Sequence, residues 1–292
     1  LDEKYQKFLK QISFSTLDLK GEYLEDTLVL DKFELNLKDD SKINLLGIID
    51  IQNILNSDFK ISGSNITSKN IIKFIDNLYS GPDLKALPEG ILKNFNIDYN
   101  EGMLKESSFS YQSNLGTNIS LKGLSKSDNI FDSNLNIELT SASSEEILEL
   151  INNFNFLNKF SKIEFDQLKI NSTLNKGLFK IDTLNVIDGE SNATISGEID
   201  IYNKYKRNLE IKLTKFNQFN LFPFPQLEEI LKSLDTNYID LDCFLTDTNL
   251  EIVNLEIPVS GNSNLNITGD VNLKNFKETL LNIKFNGIRP FH

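Results

Sequence analysis

The chain carries one histidine, His292, and it stands at the very end of the 292 residues. General-base catalysis needs a base within hydrogen-bond reach of the group it deprotonates, and no nucleophile with such a partner can be recognised around it. Asp240-x-Asp242 sets two carboxylates on one side of an alternating segment. Such a pair can hold a cation or exchange a proton, but it is equally the solvated face of a strand, which is the preferred reading. The same holds for Asp39-Asp40 and Glu228-Glu229. Cys243 is the single cysteine, which excludes an internal disulfide and a multi-cysteine metal site. It lies in an apolar alternation and reads as a small core or edge residue. The zinc-type His and Cys sets are missing, and no metal or other cofactor is expected. The segments "GESNATISG" and "GNSNLNITG" resemble glycine-rich phosphate loops. They lack a following helix and a P-loop lysine, so they read as hairpin turns. No G-x-S-x-G elbow occurs. The residues point away from an enzyme and towards a binding or scaffolding role.

Bulk properties narrow the partners. The net charge is −12, with Arg207 and Arg289 the only arginines. Phosphate backbones are bound by clustered Lys and Arg, so nucleic acid is not an expected partner. At 39% hydrophobic and 25% charged residues, the composition is that of a folded chain. No apolar run approaches the ~20 residues of a membrane-spanning helix. The chain starts at Leu1 in a polar segment, so it reads as a piece of a longer protein with any targeting element lying elsewhere.

What positions these residues is a repeat. "INLLGIIDI", "NISLKGLSKS", "ATISGEIDI" and "NLNITGDVNL" each place a glycine on the apolar side of an alternating segment. The glycines Gly47, Gly123, Gly197 and Gly269 are 76, 74 and 72 residues apart. Periods of this size dictate the architecture. Twelve residues after each glycine stands Phe59, Leu135, Leu209 or Leu281. Fourteen after stands Ile61, Ile137, Ile211 or Ile283, and sixteen after stands Gly63, Leu139, Leu213 or Phe285. Upstream, apolar pairs recur five residues apart: Leu28 and Phe33, Leu104 and Phe109, Phe179 and Leu184, Leu250 and Leu255. Earlier still comes an alternating pair: Leu17 and Leu19, Ile97 and Tyr99, Leu168 and Ile170, Ile239 and Leu241. Repeat two departs from the pattern at Ser125 and Ser127.

Each repeat reads as about four strands joined by short turns such as Lys38-Asp39-Asp40, Asn100-Glu101-Gly102 and Asp188-Gly189. In the first repeat the strands span roughly 12–20, 27–37, 42–51 and 57–64. The expected fold is mainly β with a few short helices: one long antiparallel meandering sheet of about four four-strand repeats, curled into an apolar groove. The repeats fall at approximately 12–80, 92–160, 163–234 and 237–292 of a single continuous domain. Gly47, Gly123, Gly197 and Gly269 are the expected sheet-bending positions, the alternative being a local bulge at each. Three amphipathic helices are expected over 67–78, 143–160 and 224–234, the second opened by the capping box Ser143-x-x-Glu146. Their apolar sides are expected on the apolar sheet face. The expected lining of the groove is Ile43, Leu45, Ile61, Ile119, Leu121, Ile137, Leu139, Ile195, Ile211, Leu213, Leu265, Ile267, Ile283 and Phe285. Three short helices cannot shield so much apolar area. Either the sheet closes on itself or an apolar ligand occupies it.

The cadence "INLLGIIDI…FKISG", "NISLKG…LNIEL", "ATISGEIDI…LEIKL" and "LNITGDVNL…LNIKF", with amphipathic helices between, resembles the AsmA-like family. Its TamB-related and YhdP-related members are akin to the bridge-like lipid transfer proteins. The segment 87–104, "LPEGILKNFNIDYNEGML", resembles the entry into a new repeat of that family. The resemblance runs along essentially the whole chain and rests on a hydrophobic cadence. It implies a periplasmic protein anchored in the bacterial inner membrane by a helix outside this sequence. It implies a groove that carries phospholipid or another acyl-chain lipid towards the outer membrane, without cofactor or catalytic residues. The alternative is a structural or assembly factor for outer-membrane biogenesis with a closed, dry β core. A secreted β-rich adhesin fits less well, because the turns are short.

Overall fold

The structure is a computed structural model that describes residues 14–71, 88–101, 103–126, 132–153, 164–203, 206–217, 236–259 and 263–287. It is mainly β. Among the described residues sixteen strands pair in chain order in one meandering sheet that runs from β1 (Phe14–Leu24) to β16 (Leu280–Asn286) and does not close into a barrel. The four repeats are β1 to β4 (Thr27–Leu37, Lys42–Asp50 and Asp58–Thr67 after β1), β5 to β8 (Gly90–Asn100, Met103–Ser113, Asn118–Lys126, Asn134–Ser141), β9 to β12 (Gln167–Asn175, Leu178–Asp188, Ser191–Asp200, Arg207–Phe216) and β13 to β16 (Ile239–Thr246, Asn249–Val259, Ser263–Asn272, Leu280–Asn286).

The chain's internal contacts group it into two compact units. The first takes in residues 1–139 with short pieces at 149–156 and 174–176, and the second the rest of 140–292. Each has its own core. In the first unit Leu35, Leu37, Ile43, Ile66, Leu92 and Tyr111 are buried together, with Phe33, Ile61 and Phe95 against them. In the second, Ala193, Leu213, Phe216, Ile239, Ile257 and Leu265 form the equivalent cluster, flanked by Ile211, Leu241 and Ile267. Both clusters come from alternate positions of antiparallel strands, where successive side chains point to opposite faces. The opposite parity carries exposed ion pairs such as Lys60–Asp98 at 2.9 Å and Lys42–Glu34 at 3.0 Å.

The expected hairpin turns form where they can be seen. Asp40, Glu101 and Gly189 take positive φ (63°, 47° and 56°), the conformation a tight strand reversal requires. The turn expected at the start of "GNSNLNITG", Gly261-Asn262, lies outside the described residues. Of the expected helices, α1 (Ser144–Asn153) follows β8. One half of the expected capping box is in place: Ser143 Oγ accepts a hydrogen bond from the Glu146 backbone N–H at 3.3 Å, while the Ser143 N–H donates to Ser141 Oγ at 3.0 Å. Residues 68–71 begin a helix after β4, and Ile71 packs on the first unit's core. The helix expected over 224–234 lies outside the described residues.

Candidate functional site

The extended apolar face of the strands is the candidate site, and its cross-strand register builds it. In the first unit Leu19, Phe33, Leu45, Ile61 and Ile97 stand side by side on five consecutive strands. In the second, Leu184, Ile195, Ile211, Cys243 and Ile252 do the same, and the row ends on Gly269 and Leu281. Aligned neighbours at this spacing touch, and each apolar pair adds stability beyond simple alternation.

The residues expected to line a groove fall into three environments. Ile43, Leu213 and Leu265 are buried core, at 9%, 7% and 9% exposure. Leu45, Ile61, Ile119, Leu121, Ile137, Leu139, Ile195, Ile211 and Ile267 are half-buried, so water reaches part of each side chain. Ile283 and Phe285 on β16 are exposed at 50% and 61%. The rows bring together Leu45 with Ile61, Ile195 with Ile211, Leu265 with Phe285 and Ile267 with Ile283. Ile119 and Leu121 stand opposite Tyr111 and Phe109.

Each of the four glycines sits opposite an irregularity in the preceding strand. In the second unit Ile181 aligns with Gly197, but the next aligned pair is Leu184 with Ile195. The same shift falls between Leu30 and Phe33 opposite Gly47, between Leu104 and Ser107 at Gly123, and between Ile252 and Leu255 opposite Gly269. This is a β-bulge: the bulged strand carries one extra residue, bends and twists more strongly. The five-residue spacing of the upstream apolar pairs is its signature, since an odd spacing keeps both side chains on one face only if a residue is inserted between them. The glycines take φ of 126°, 151°, 128° and 135°, a region closed to L side chains at ordinary cost. On Gly197 a Cβ would stand 2.1 Å from the Asn208 carbonyl oxygen and 2.9 Å from the Leu209 Cα. Glycine is therefore required by backbone conformation and by close approach of the next strand, which is more specific than the removal of a side chain that would resist curvature.

The strand-one pair of repeat two is displaced from its expected position. Leu19 aligns with Phe33 and Leu241 with Leu255, and their counterpart in β5 is Phe95, opposite Phe109, not Tyr99. The two-residue alternation of β5 conceals this register, because a four-residue slip preserves the face.

The candidate chemical residues sit among structural neighbours, and one oxygen of Asp242, Oδ1, is buried without a hydrogen-bond partner. Asp240 Oδ1 accepts the Lys215 backbone N–H at 2.8 Å, and Asp242 stands opposite Lys212. The Lys212 ammonium is held above its ordinary pKa by its bond to Glu210, with Asp242 adding a smaller attraction. Cys243 is 1% exposed, and burial, assisted by the nearby Asp242 charge, pushes its thiol up to about 11. A thiol so held is protonated and inert at neutral pH. The "GESNATISG" segment is the β10–β11 hairpin, where the Gly189 N–H donates to Asp166 Oδ2 at 2.8 Å. Among the described residues no group of three or more His, Cys, Asp and Glu is arranged to hold a metal ion, and no helix is long and apolar enough to cross a membrane.

Two features escaped sequence reasoning. Three residues after the glycine, Asp50, Asp200 and Asn272 each accept backbone N–H bonds from the residues two and three further on. These Asx turns close the third-to-fourth strand connection in three repeats. The signal was an Asp or Asn at a fixed offset in "GIID", "GEID" and "GDVN". Tyr111, 1% exposed, donates its hydroxyl to the Pro88 carbonyl. That bond pins the entry to repeat two and has no local sequence signature.

Comparison with protein-family models, characterised proteins and solved structures gives no match to this chain.

Proposed function

We propose that the half-buried apolar rows form a lipid-binding wall, and that the chain is a lipid-transfer segment of the AsmA-like kind. Such a segment works in the periplasm, anchored to the inner membrane by a helix outside this sequence, and passes phospholipid towards the outer membrane. The observation that carries the reading is the run of side chains such as Leu45, Ile61 and Ile97, or Ile195 and Ile211. They are aligned across several strands yet left partly open to water. A folded protein rarely leaves an extended apolar surface wet without a partner. An acyl chain laid along the rows leaves water at about 0.8 kcal/mol per methylene. Aliphatic side chains offer no directional bonds, so they discriminate poorly between chains and permit sliding, which suits a conduit better than a receptor. A charged headgroup stays at the polar rim of the wall, near the turns.

A second reading, a non-catalytic assembly scaffold, draws on the fully buried clusters around Tyr111 and Ile239, which are sealed without a ligand. Photocrosslinking separates the two. A benzophenone side chain at Ile61 or Ile211 is expected to capture phospholipid from membranes, and the same probe at Lys60 or Glu210 on the opposite face is not. Equal capture at both faces, or none at either, would favour the scaffold.

A further inference from the structure

The half-buried row of one repeat does not run on into the next. In the first unit, repeat one aligns Phe33, Leu45 and Ile61, and repeat two aligns Phe95, Phe109 and Leu121. In the second unit, repeat three aligns Leu184, Ile195 and Ile211, and repeat four aligns Leu241, Leu255 and Ile267. All twelve side chains are half-buried. Buried side chains border them. On the glycine side these are Leu30, Ile181 and Ile252, and on the other side Leu35, Leu213 and Ile257. Each open row is therefore one side chain wide, about 7 Å, the distance between same-face neighbours along a strand.

The junction inside each unit breaks the row. In the first unit the straight continuation of Ile61 is Ile97, then Ser107, then Gly123. Ser107 Oγ donates to the Gly123 carbonyl oxygen at 3.1 Å, so the row ends on a hydrogen-bonded hydroxyl and a glycine. In the second unit Ile211 is followed by Cys243 and Ile252, both buried, and then by Gly269. Each row thus runs into the bulge and glycine of the next repeat. The next half-buried row begins two residues to one side, at Phe95 opposite Gly63 and at Leu241 opposite Leu213. That sideways step is closed in both units. Leu213 is buried core. The Phe95 ring lies over Gly63, where it would strike any added Cβ.

We propose that each repeat is a separate site for a single extended acyl chain, laid across its strands and closed off from its neighbour at the junction within each unit. The proposal rests on the lipid-binding reading of this face and adds to it the size and number of the sites. A row three or four strands long measures about 14–19 Å. A partner helix is about 10–12 Å across with its side chains, too wide to reach the floor of a strip bordered on both sides by packed residues. A polymethylene chain is narrow enough, and the Phe, Leu and Ile side chains of the rows ask for no polar match. Of a lipid with two chains, one row takes one. Sliding is then confined to a repeat, and passage from repeat to repeat goes by a step that needs the junction to open.

The test uses the full 292-residue chain and three fatty acids of rising length, laurate, palmitate and erucate, each below its critical micelle concentration. Affinity is expected to rise from laurate to palmitate, by up to about fourfold per added methylene. From palmitate to erucate it is expected to level off, because the end of the longer chain finds no open row. Phe95→Ala uncovers Gly63 and joins the two rows of the first unit. The ratio of erucate to palmitate affinity is then expected to rise by at least about tenfold. Ile61→Trp fills one row without burying a charge, and native mass spectrometry is expected to count one palmitate fewer at saturation. Circular dichroism checks that both variants fold. Three results overturn the proposal and leave lipid binding standing: parent affinity that climbs as steeply to erucate as to palmitate, an unchanged ratio in folded Phe95→Ala, or loss of every palmitate from folded Ile61→Trp. A folded parent that binds none of the three acids overturns the lipid reading as well.

Discussion

Ile252 of β14 stands opposite Gly269 of β15, and the next aligned pair is Leu255 with Ile267, so one strand advances three residues while its partner advances two. This inequality recurs in all four repeats and links two features that look unrelated in the sequence, a glycine on an apolar face and an odd five-residue apolar spacing. The bulge and the glycine are one device.

The first consequence concerns Gly197. Its φ of 128° and the 2.1 Å approach a Cβ would make to the Asn208 carbonyl leave no room for alanine. Gly197→Ala is expected to cost about 1–3 kcal/mol, read as a lowered urea midpoint with little change in slope. Gly189→Ala serves as the comparison: its φ is 56°, but nothing stands within 4 Å of the added Cβ. It should cost less.

A coupling prediction follows for the device itself. In β14, Val253 is the residue passed over between the aligned pairs Asp242–Asn254 and Cys243–Ile252. Deleting it leaves Leu250 and Leu255 on one face of a regular strand. Gly269→Ala should then cost less in the deletion background than in the parent, with an interaction energy of at least about 0.5 kcal/mol in a double-mutant cycle. Strict additivity would mean that glycine and bulge are independent.

Much of this fold was legible because hairpin geometry is arithmetic. Positions twelve, fourteen and sixteen after each glycine are apolar because they align with the glycine and with the residues two and four before it, as Gly47 with Phe59, Leu45 with Ile61 and Ile43 with Gly63. A connection of constant length between the third and fourth strands keeps that register without gaps. The bulge was present in the spacing of Leu250 and Leu255 but needs the partner strand to be recognised. Which wall positions are sealed was not legible, because Leu213 and Ile211 share a face and a residue class and differ only in what packs around them.

The Asx turn after the glycine predicts a pH effect. The Asn53 backbone N–H, helped by the Asn56 side chain and the Gln52 N–H, holds the Asp50 carboxyl below its ordinary pKa. A group depressed in the folded state stabilises above its unfolded pKa, near 3.9, and loses that contribution as the pH falls through the lower folded value. Amide exchange at Asn53 should accelerate, relative to unstructured amides, on acidification through that window. Asp50→Asn should remove the dependence while keeping the turn, as Asn272 does in repeat four; an unchanged pH profile would contradict it.

The buried Tyr111 hydroxyl gives a sharper stability test. Tyr111→Phe leaves the Pro88 carbonyl without this donor and is expected to destabilise the first unit by about 1–3 kcal/mol. A loss within error of zero would mean that water replaces the bond.

Lipid held along the half-buried rows is what the proposed function requires. The direct measurement is mass spectrometry of lipids extracted from the chain purified out of a bacterial envelope, washed free of detergent, alongside an Ile61→Glu/Ile211→Glu variant checked for folding by circular dichroism. Near-stoichiometric phospholipid is expected on the parent chain and strongly reduced lipid on the variant. A parent chain that is folded, monodisperse and free of lipid would contradict it.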